Sequence, residues 1–401
     1  MLLRRVFVIP VLVTLFLIGA PLWAVAKQAT PMPMPGTVIA SGLTNPRDFT
    51  WGADGTLYVA LAGSGGSNPA TEDSPANSAI GPFMGGSTGA LVRIENGCPT
   101  AVVTGLPSVA DGIGSVLGAE DVAILGDHLY VSSDGGGAAH GNADAPSGIY
   151  RALADGTFQL VADLSAWLRA NPAKIGTTFP DYDPDADGYR MVGDDSAGLL
   201  WVLEPNSGGL LSITPDGTIT RVADLSDGHP VPSSIALAPG GGVYIGNLTA
   251  APFPDGSAKV IKVMPDGTVS DVWTGLTTVT GLAVASDGTL YALEMSTGNT
   301  DQPPFLQPGS GKILRMTGAD SSEEVASGLM FPVSLNIGPD NAFYVSMPAI
   351  GANDGSGSIV RIESGMAGTP MAGMTEAPAS CSPIPETMAT PGATPMASPS
   401  S

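Results

Sequence analysis

The stretch PRDFTWGADGTLYVA, residues 46–60, decides the fold of this chain. It consists of an apolar strand, a turn containing Asp54-Gly55, and a second strand in which Tyr58 lies between apolar residues. Asp-Gly allows the positive φ that tight hairpin turns require, and alternating apolar residues are typical of a half-buried strand. The stretch therefore predicts a β-hairpin.

The same pattern returns five more times, which makes the chain a repeat protein. An aromatic residue marks the second strand of each copy, at Tyr58, Tyr130, Trp201, Tyr244, Tyr291 and Tyr344. The separations of 72, 71, 43, 47 and 53 residues indicate a unit of about 45 residues with two long insertions. We expect the aromatic side chains to pack between neighbouring units.

Each unit continues with a third strand, at 90–94, 148–153, 210–213, 259–263, 312–316 and 358–362. Five fourth strands follow these, and a sixth, TVIASGLTNP at 37–46, precedes the first unit. Six four-stranded sheets are complete only if this N-terminal strand joins the C-terminal blade, which leaves the ring no open end. The sequence therefore predicts an all-β, six-bladed β-propeller of antiparallel blades over residues 36–363.

Composition narrows the classes of function. The chain has 401 residues, a hydrophobic fraction of 43%, a charged fraction of 13% and a formal net charge of −22. Since a disordered chain combines low hydrophobicity with high charge density, most of this one should fold. The acidic balance argues against a nucleic-acid partner, because phosphate binding needs a basic surface.

The two ends differ in character from the repeats. Residues 1–26 combine Arg4 and Arg5 with an apolar run and the small-residue pattern of Ala24 to Ala26, which predicts a signal peptide cleaved after Ala26; the alternative is an uncleaved membrane anchor. No second apolar run is long enough to span a bilayer. Residues 27–35 are predicted as a linker, and residues 364–401 as a disordered tail rich in Pro, Ala, Thr and Met. The mature protein is predicted to be a secreted or extracytoplasmic monomer.

The chain has two cysteines, Cys98 and Cys381. An oxidising compartment would allow a disulfide that fixes the tail to the first blade. The sequence equally allows two free or intermolecular thiols.

Several motifs resemble those of a known family. The chain carries Gly-Leu-x-x-Pro at 42–46, Asp-Gly-x-Leu-Tyr-Val at 54–59, a long Gly/Ser insertion after LYVALAGSGG, and the strands KILRM and SIVRI. These features resemble NHL-type propellers and, more narrowly, the exported ScyD/ScyE family over about residues 36–363. The segment PDYDPDADGYRM at 180–191 departs from the family's pattern. The resemblance implies the fold and export, but no reaction that could be carried over residue by residue.

The mouth of the propeller channel is the first candidate site. Aligned blades place equivalent residues at the start of each first strand: Asp48, Asp121, Met191, Ser234, Gly281 and Ser334. The related gluconolactonase-like propellers hold a divalent cation there, and hard cations take six to eight oxygen ligands. Only two of the six residues are carboxylates, with Glu120 as a third, so the set fits a metallo-lactonase poorly.

An acidic run offers a second candidate site. Asp181, Asp183, Asp185 and Asp187, followed by Gly188, alternate as in the first half of a calcium loop. A complete EF-hand is excluded, because the repeat places residues 189–193 in an extended strand that moves Asp194 away from the loop. A looser Ca²⁺ loop and a solvated acidic turn remain as the two interpretations.

The sequence leaves two functional hypotheses. One is an exported binding or assembly module for a small molecule or a cell-surface polymer, with ligand contacts on the insertions 61–89 and 132–147, which should emerge on one face. The other is a channel-mouth hydrolase or lyase with a divalent metal, in which His229 acts as general base beside Asp48, Glu120 and Asp121. An ordinary loop histidine is the alternative interpretation of His229. Ca²⁺ is the one cofactor that the sequence suggests.

Overall fold

The computed structural model describes residues 35–364 together with Cys381 and Ile384. The predicted signal peptide, and most of the predicted linker and tail, lie outside the described residues. The described part is almost entirely β-structure.

Twenty-six strands occur in the described residues. In chain order they are β1 Thr37–Leu43, β2 Pro46–Trp51, β3 Leu57–Leu61, β4 Asn68–Pro69, β5 Met84–Glu95, β6 Cys98–Ala110, β7 Val116–Leu117, β8 Ala119–Leu125, β9 His128–Ser133, β10 Gly148–Ala152, β11 Phe158–Asp163, β12 Arg190–Asp194, β13 Leu199–Glu204, β14 Gly209–Ile213, β15 Ile219–Asp224, β16 Pro232–Leu237, β17 Val243–Asn247, β18 Ala258–Val263, β19 Val269–Leu276, β20 Val279–Val284, β21 Leu290–Glu294, β22 Gly311–Gly318, β23 Ser321–Leu329, β24 Ser334–Ile337, β25 Phe343–Met347 and β26 Gly357–Ile362.

The strands form six antiparallel sheets, which confirms the six-bladed propeller. Blade 1 is β2-β3-β5-β6 with the short β4 and β7 at its margins, blade 2 is β8 to β11, blade 3 is β12 to β15, blade 4 is β16 to β19 and blade 5 is β20 to β23. Blade 6 is β24-β25-β26-β1, with Thr37 opposite Arg361 and Val38 opposite Val360. The N-terminal strand therefore closes the ring, as the repeat arithmetic predicts. The first strands of neighbouring blades contact one another in a closed cycle around the channel.

The aromatic residues of the second strands pack between blades. Tyr344 of blade 6 contacts Trp51 of blade 1 edge-on at 4.9 Å, and Tyr291 of blade 5 contacts Phe343 of blade 6 at 4.8 Å. Tyr130 is buried with residues of blades 2 and 3. An aromatic pair of this geometry contributes about 0.5–1.5 kcal/mol beyond its buried area. The predicted structural role of these side chains is confirmed.

Helical segments are few and short. They are α1 Pro75–Ile80, α2 Leu164–Ala170 and a 3-10 turn at Gly176–Thr178. Asp163 caps α2, because its carboxylate accepts a hydrogen bond from the amide of Ala166 at 2.8 Å. Among the described residues, no helix is long and apolar enough to span a membrane.

Two residues of the C-terminal segment contact the propeller. Cys381 forms a disulfide with Cys98 at the start of β6, with a Cα–Cα distance of 5.4 Å. Ile384 packs against the apolar cluster that contains Ile39 and Leu43 of β1. The disulfide alternative of the sequence is therefore the one observed.

Candidate functional site

The channel mouth brings three of the predicted site residues together with two arginines. The Nε atom of Arg47 lies 3.1 Å from a carboxylate oxygen of Glu120, and Nε of Arg190 lies 3.5 Å from Oδ2 of Asp48. Both arginines and Glu120 are buried, at 5%, 1% and 0% exposure. Asp121 belongs to the same group and is 2% exposed. Glu120 and Asp48 are thus paired with buried guanidinium groups.

The two arginines also join several blades through backbone carbonyls. Arg47 donates from Nη1 to the carbonyl oxygen of Ala349 at 3.0 Å and contacts that of Val116. Arg190 donates to the carbonyl oxygens of Glu120 at 3.0 Å and Val333 at 3.1 Å. A buried guanidinium is stable only when its donors are paired. These contacts between blades give the arginines a structural role.

Asp121 is held by a backbone bond between blades. Its Oδ2 accepts a hydrogen bond from the amide of Met191 at 2.6 Å. Burial raises the pKa of Asp121 well above its usual value, and the charge of Asp48 adds to this, while Arg190 opposes it. A carboxyl group in this environment favours its neutral form, which suits hydrogen bonding better than proton abstraction.

The carboxylates of the acidic run point to separate partners. Asp183 contacts Nε2 of His140 at 2.7 Å. Asp185 pairs with Arg169 at 2.9 Å and accepts a hydrogen bond from the amide of Ala139 at 2.6 Å. Within residues 35–364 and at Cys381 and Ile384, no group of three or more His, Cys, Asp or Glu side chains is placed to hold a metal ion.

His140 is the centre of this arrangement. It is fully buried, and its Nδ1 lies 2.8 Å from the carbonyl oxygen of Gly136. Burial alone lowers the pKa of His140, but the charge and the hydrogen bond of Asp183 outweigh it and raise the pKa to about 9. At neutral pH the ring is therefore an imidazolium that donates to both oxygen atoms, and it ties the second insertion to the acidic run.

Three insertions on one face of the ring form a single body, which we call the cap: residues 62–83, 134–147 and 164–188. The amide of Thr71 donates to the carbonyl oxygen of Ala138 at 2.8 Å. Arg169 donates to both carboxylate oxygens of Glu72 at 2.9 Å and also reaches Asp185. The shared face that the sequence predicts for the first two insertions is confirmed, and the third joins them.

The cap contains a buried carboxylate that has no hydrogen-bond partner among the described residues. Asp134 is 0% exposed, and neither of its oxygens has a hydrogen-bond partner within the described residues. Oδ1 of Asp187 also has no hydrogen-bond partner within the described residues. The amide of Asp187 donates to a carboxylate oxygen of Glu204 at 3.2 Å. Burial, with the charges of Asp187, Glu120 and Glu204, raises the pKa of Asp134 well above its usual value. A buried group of this kind either keeps a proton or attracts a cation.

His229 lies away from the acidic residues that the sequence pairs with it. Its ring stacks on Phe179, with centroids 3.8 Å apart and an interplanar angle of 11°. Its Nε2 is 3.7 Å from Asp181. The described contacts of His229 therefore include the first residue of the acidic run and not Asp48, Glu120 or Asp121.

The loop after His229 also contains Val231 with a positive φ of 52°. This backbone conformation recurs before the first strands of other blades, at Asn45 with 48°, Thr278 with 42° and Phe331 with 44°. Its recurrence at equivalent positions marks it as a feature of the blade connection rather than of one site.

Sequence reasoning missed the arginines and the unpartnered carboxylate. Arg47 precedes Asp48, and Arg190 begins the third blade's first strand, so both are adjacent to the aligned positions. Asp134 and Glu204 follow the second-strand aromatics Tyr130 and Trp201 by four and three residues, where the second strand ends. A comparison of the second-strand ends between blades could have found these two acidic residues.

Comparisons with known proteins identify the fold. No family model matches the chain, and no curated protein matches it. A solved putative oxidoreductase (glucose dehydrogenase) from Thermus thermophilus is 15% identical, with a TM-score of 0.52 over 81% of this chain and 98% of that one. A second solved glucose dehydrogenase is 14% identical, with a TM-score of 0.51 over 81% and 98%. A protein of unknown function from Bacteroides thetaiotaomicron is 9% identical, with a TM-score of 0.50 over 82% and 75%. At this identity the chain shares a propeller fold with these proteins, and its place in the ScyD/ScyE family stays a prediction.

Proposed function

We propose that this protein is an exported binding module that holds its ligand, a small molecule or a cell-surface polymer, on the capped face of the propeller. The observation that carries this proposal is the cap itself. Three separate insertions from the first blades are joined by Arg169, His140 and backbone bonds. Long ordered loops on a rigid scaffold are where binding specificity usually lies.

Three further features support the proposal. The predicted catalytic acids Glu120 and Asp121 are buried and bonded to groups of neighbouring blades, so they stabilise the ring. The Cys98–Cys381 disulfide fits an oxidising compartment outside the cytoplasm. The formal charge of −22 favours ligands other than nucleic acids.

The test is a thermal-shift screen of the mature protein against oligosaccharide fragments of bacterial surface polymers and small metabolites of either charge. A ligand of the cap should raise the melting temperature of the wild type by several degrees, since binding stabilises the folded state. Arg169→Gln should reduce that shift, because it separates Glu72 from Asp185.

The matched control is Arg315→Gln, which removes an exposed ion pair with Glu323 on blade 5. A ligand whose shift is the same in both variants does not bind at the cap. Chemical conversion of a screened compound that disappears in Asp121→Asn would overturn the binding-module proposal in favour of an enzyme.

A second candidate function is a hydrolase or lyase at the channel mouth that depends on a divalent cation such as Ca²⁺. The unpartnered carboxylate of Asp134, close to Asp187 and Glu204, favours it. The ion would have to draw these side chains together, because no three of the described acidic groups are placed to hold it. His229, Asp48, Glu120 and Asp121 remain the candidates for acid–base steps.

Metal analysis and thermal unfolding test this candidate. If Ca²⁺ binds, protein purified without chelator should contain one ion per chain, and Ca²⁺ at a hundred times its Kd should add about 2.7 kcal/mol to the free energy of unfolding. Asp134→Asn should remove both effects, whereas Asp227→Asn, an exposed control, should keep them. An unchanged melting temperature in Ca²⁺ and in EDTA, with no bound ion, would contradict it.

A further inference from the structure

A leucine lies near the end of the fourth strand of every blade, and one of the six differs from the rest. Five of them are essentially inaccessible, at 0–1% exposure: Leu43, Leu106, Leu164, Leu276 and Leu329. Leu225, between blades 3 and 4, is only partly buried. The seam between these two blades is therefore less well filled than the others.

The opening beside Leu225 is a groove with a cavity of about 290 Å³. Its apolar lining consists of Leu225, Pro230, Pro232, Ile245, Ile261 and Val269. The side-chain amide of Asn247 is already bonded, since it donates to the carbonyl oxygen of Pro230 at 2.9 Å and accepts from the amide of Lys259 at 2.8 Å. What the groove offers is apolar surface, and covering such surface is favourable.

The seam between blades 6 and 1 shows what such a groove accommodates. Leu61 follows Tyr58 by three residues, just as Asn247 follows Tyr244, so Leu61 and Asn247 are equivalent. The strand registers place Ala90 opposite Leu61 and, continued by one residue, Lys259 opposite Asn247, so these two residues are equivalent as well. A smaller cavity of about 160 Å³ lies there, lined by Leu61, Ala90 and Ile384. The chain therefore places an aliphatic side chain of its own C-terminal segment in the corresponding position.

The segment around Ile384 indicates the chemistry of the occupant. Its sequence is Ser-Pro-Ile-Pro, residues 382–385. Prolines on both sides of an aliphatic residue favour an extended chain that loses little entropy on binding. The groove between blades 3 and 4 occupies the equivalent position, so it suits another extended segment with an aliphatic residue next to proline.

The rim of this groove is acidic. Asp224 and Asp227 are exposed at its rim, and Lys259 is already paired with Asp271 at 2.7 Å. The whole chain is strongly acidic as well. A basic partner is therefore attracted to this rim, whereas a second copy of this chain is repelled.

We propose that the seam between blades 3 and 4 is a docking groove for an extended segment of a basic partner protein that presents an aliphatic side chain next to proline. The aliphatic side chain lies against Leu225, Ile261 and Val269, and a nearby lysine or arginine faces Asp227. This surface is distinct from the cap and does not depend on the ligand proposed there.

The experiment is a fluorescence-polarisation titration of the mature protein into the labelled peptide Lys-Ser-Pro-Ile-Pro-Lys. We expect saturable binding with a Kd of tens of micromolar, about 6 kcal/mol. Leu225→Ala should raise the Kd about fivefold by removing apolar contact, and Asp227→Lys about threefold by reversing the rim charge. Leu160→Ala, at an exposed leucine of β11, is the matched control and should leave the Kd unchanged.

Probe variants complete the test. Replacing the isoleucine of the peptide by serine should abolish binding, and replacing its lysines by glutamates should weaken it strongly. Equal binding of the isoleucine and serine peptides, or equal Kd values for Leu225→Ala and Leu160→Ala, would overturn the proposal. So would a titration that does not saturate at about 1 mM protein, a Kd that corresponds to only about 4 kcal/mol. Dimerisation of the wild type that Leu225→Ala abolishes would also overturn it, in favour of self-association.

Discussion

His140 lies in the glycine-rich segment GGGAAHG, which as a sequence resembles a mobile loop, yet its side chain is fully buried. The reason is a partner 43 residues away, Asp183, which holds the imidazolium at 2.7 Å. An isolated buried imidazolium would be unstable, so the pair forms only when the second insertion and the acidic run fold together.

The stability that His140 contributes should depend on pH. Its pKa is raised from 6.5 to about 9 in the folded protein. A raised pKa means that the folded state binds the proton more tightly, so the contribution is complete below pH 6.5 and is lost as pH rises through 9. The loss should be on the order of 3 kcal/mol.

Urea unfolding at about pH 6.5 and about pH 9.5, on either side of the titration, measures this effect. The wild type should lose more free energy of unfolding between the two values than His140→Gln does. His128→Gln, at the exposed first residue of β9, should behave as the wild type. The same pH dependence in the wild type and in His140→Gln would show that the ion pair does not stabilise the fold.

The channel-mouth residues illustrate why a site is harder to predict than a strand. Aligned repeats correctly place Asp48 and Asp121 near one another, since equivalent positions of a ring converge on its axis. The partners Arg47 and Arg190 occur in only two of the six blades, so the repeat carries no signal for them. Their pairing depends on side chains that cross the channel, and sequence spacing does not encode such contacts.

The strands themselves are predictable because each repeat confirms the others. The segment TVIASGLTNP has no hairpin partner next to it in the chain, but the missing fourth strand of the last blade assigns it, and β1 does pair with β26. The insertions lack this support. Their emergence on one face follows from their position between second and third strands, while the cap depends on individual contacts such as Arg169 with Glu72.

Ring closure and the disulfide both involve β1. Cys98 begins the outer strand of blade 1, and Cys381 lies against β1 of blade 6, where a Cβ on Gly42 would be 2.8 Å from Cβ of Cys381. Hydroxyl Oγ of Ser41 is 3.4 Å from Sγ of Cys381. The bridge therefore lies beside β1, whose pairing with β26 inside blade 6 is where the two ends of the propeller chain meet.

Replacing both cysteines by serine should destabilise the whole ring. The bridge joins residues 283 positions apart, and closing so long a loop restricts the unfolded chain by an amount equivalent to about 3–5 kcal/mol. Urea unfolding of Cys98→Ser/Cys381→Ser should show a loss of this size, and the wild type in reductant should match the variant. Hydrogen exchange should rise first in β1 and β26, because their pairing then has to hold the closing blade without the bridge. Equal stability of the oxidised wild type and the double variant would show that strand pairing alone keeps the ring closed.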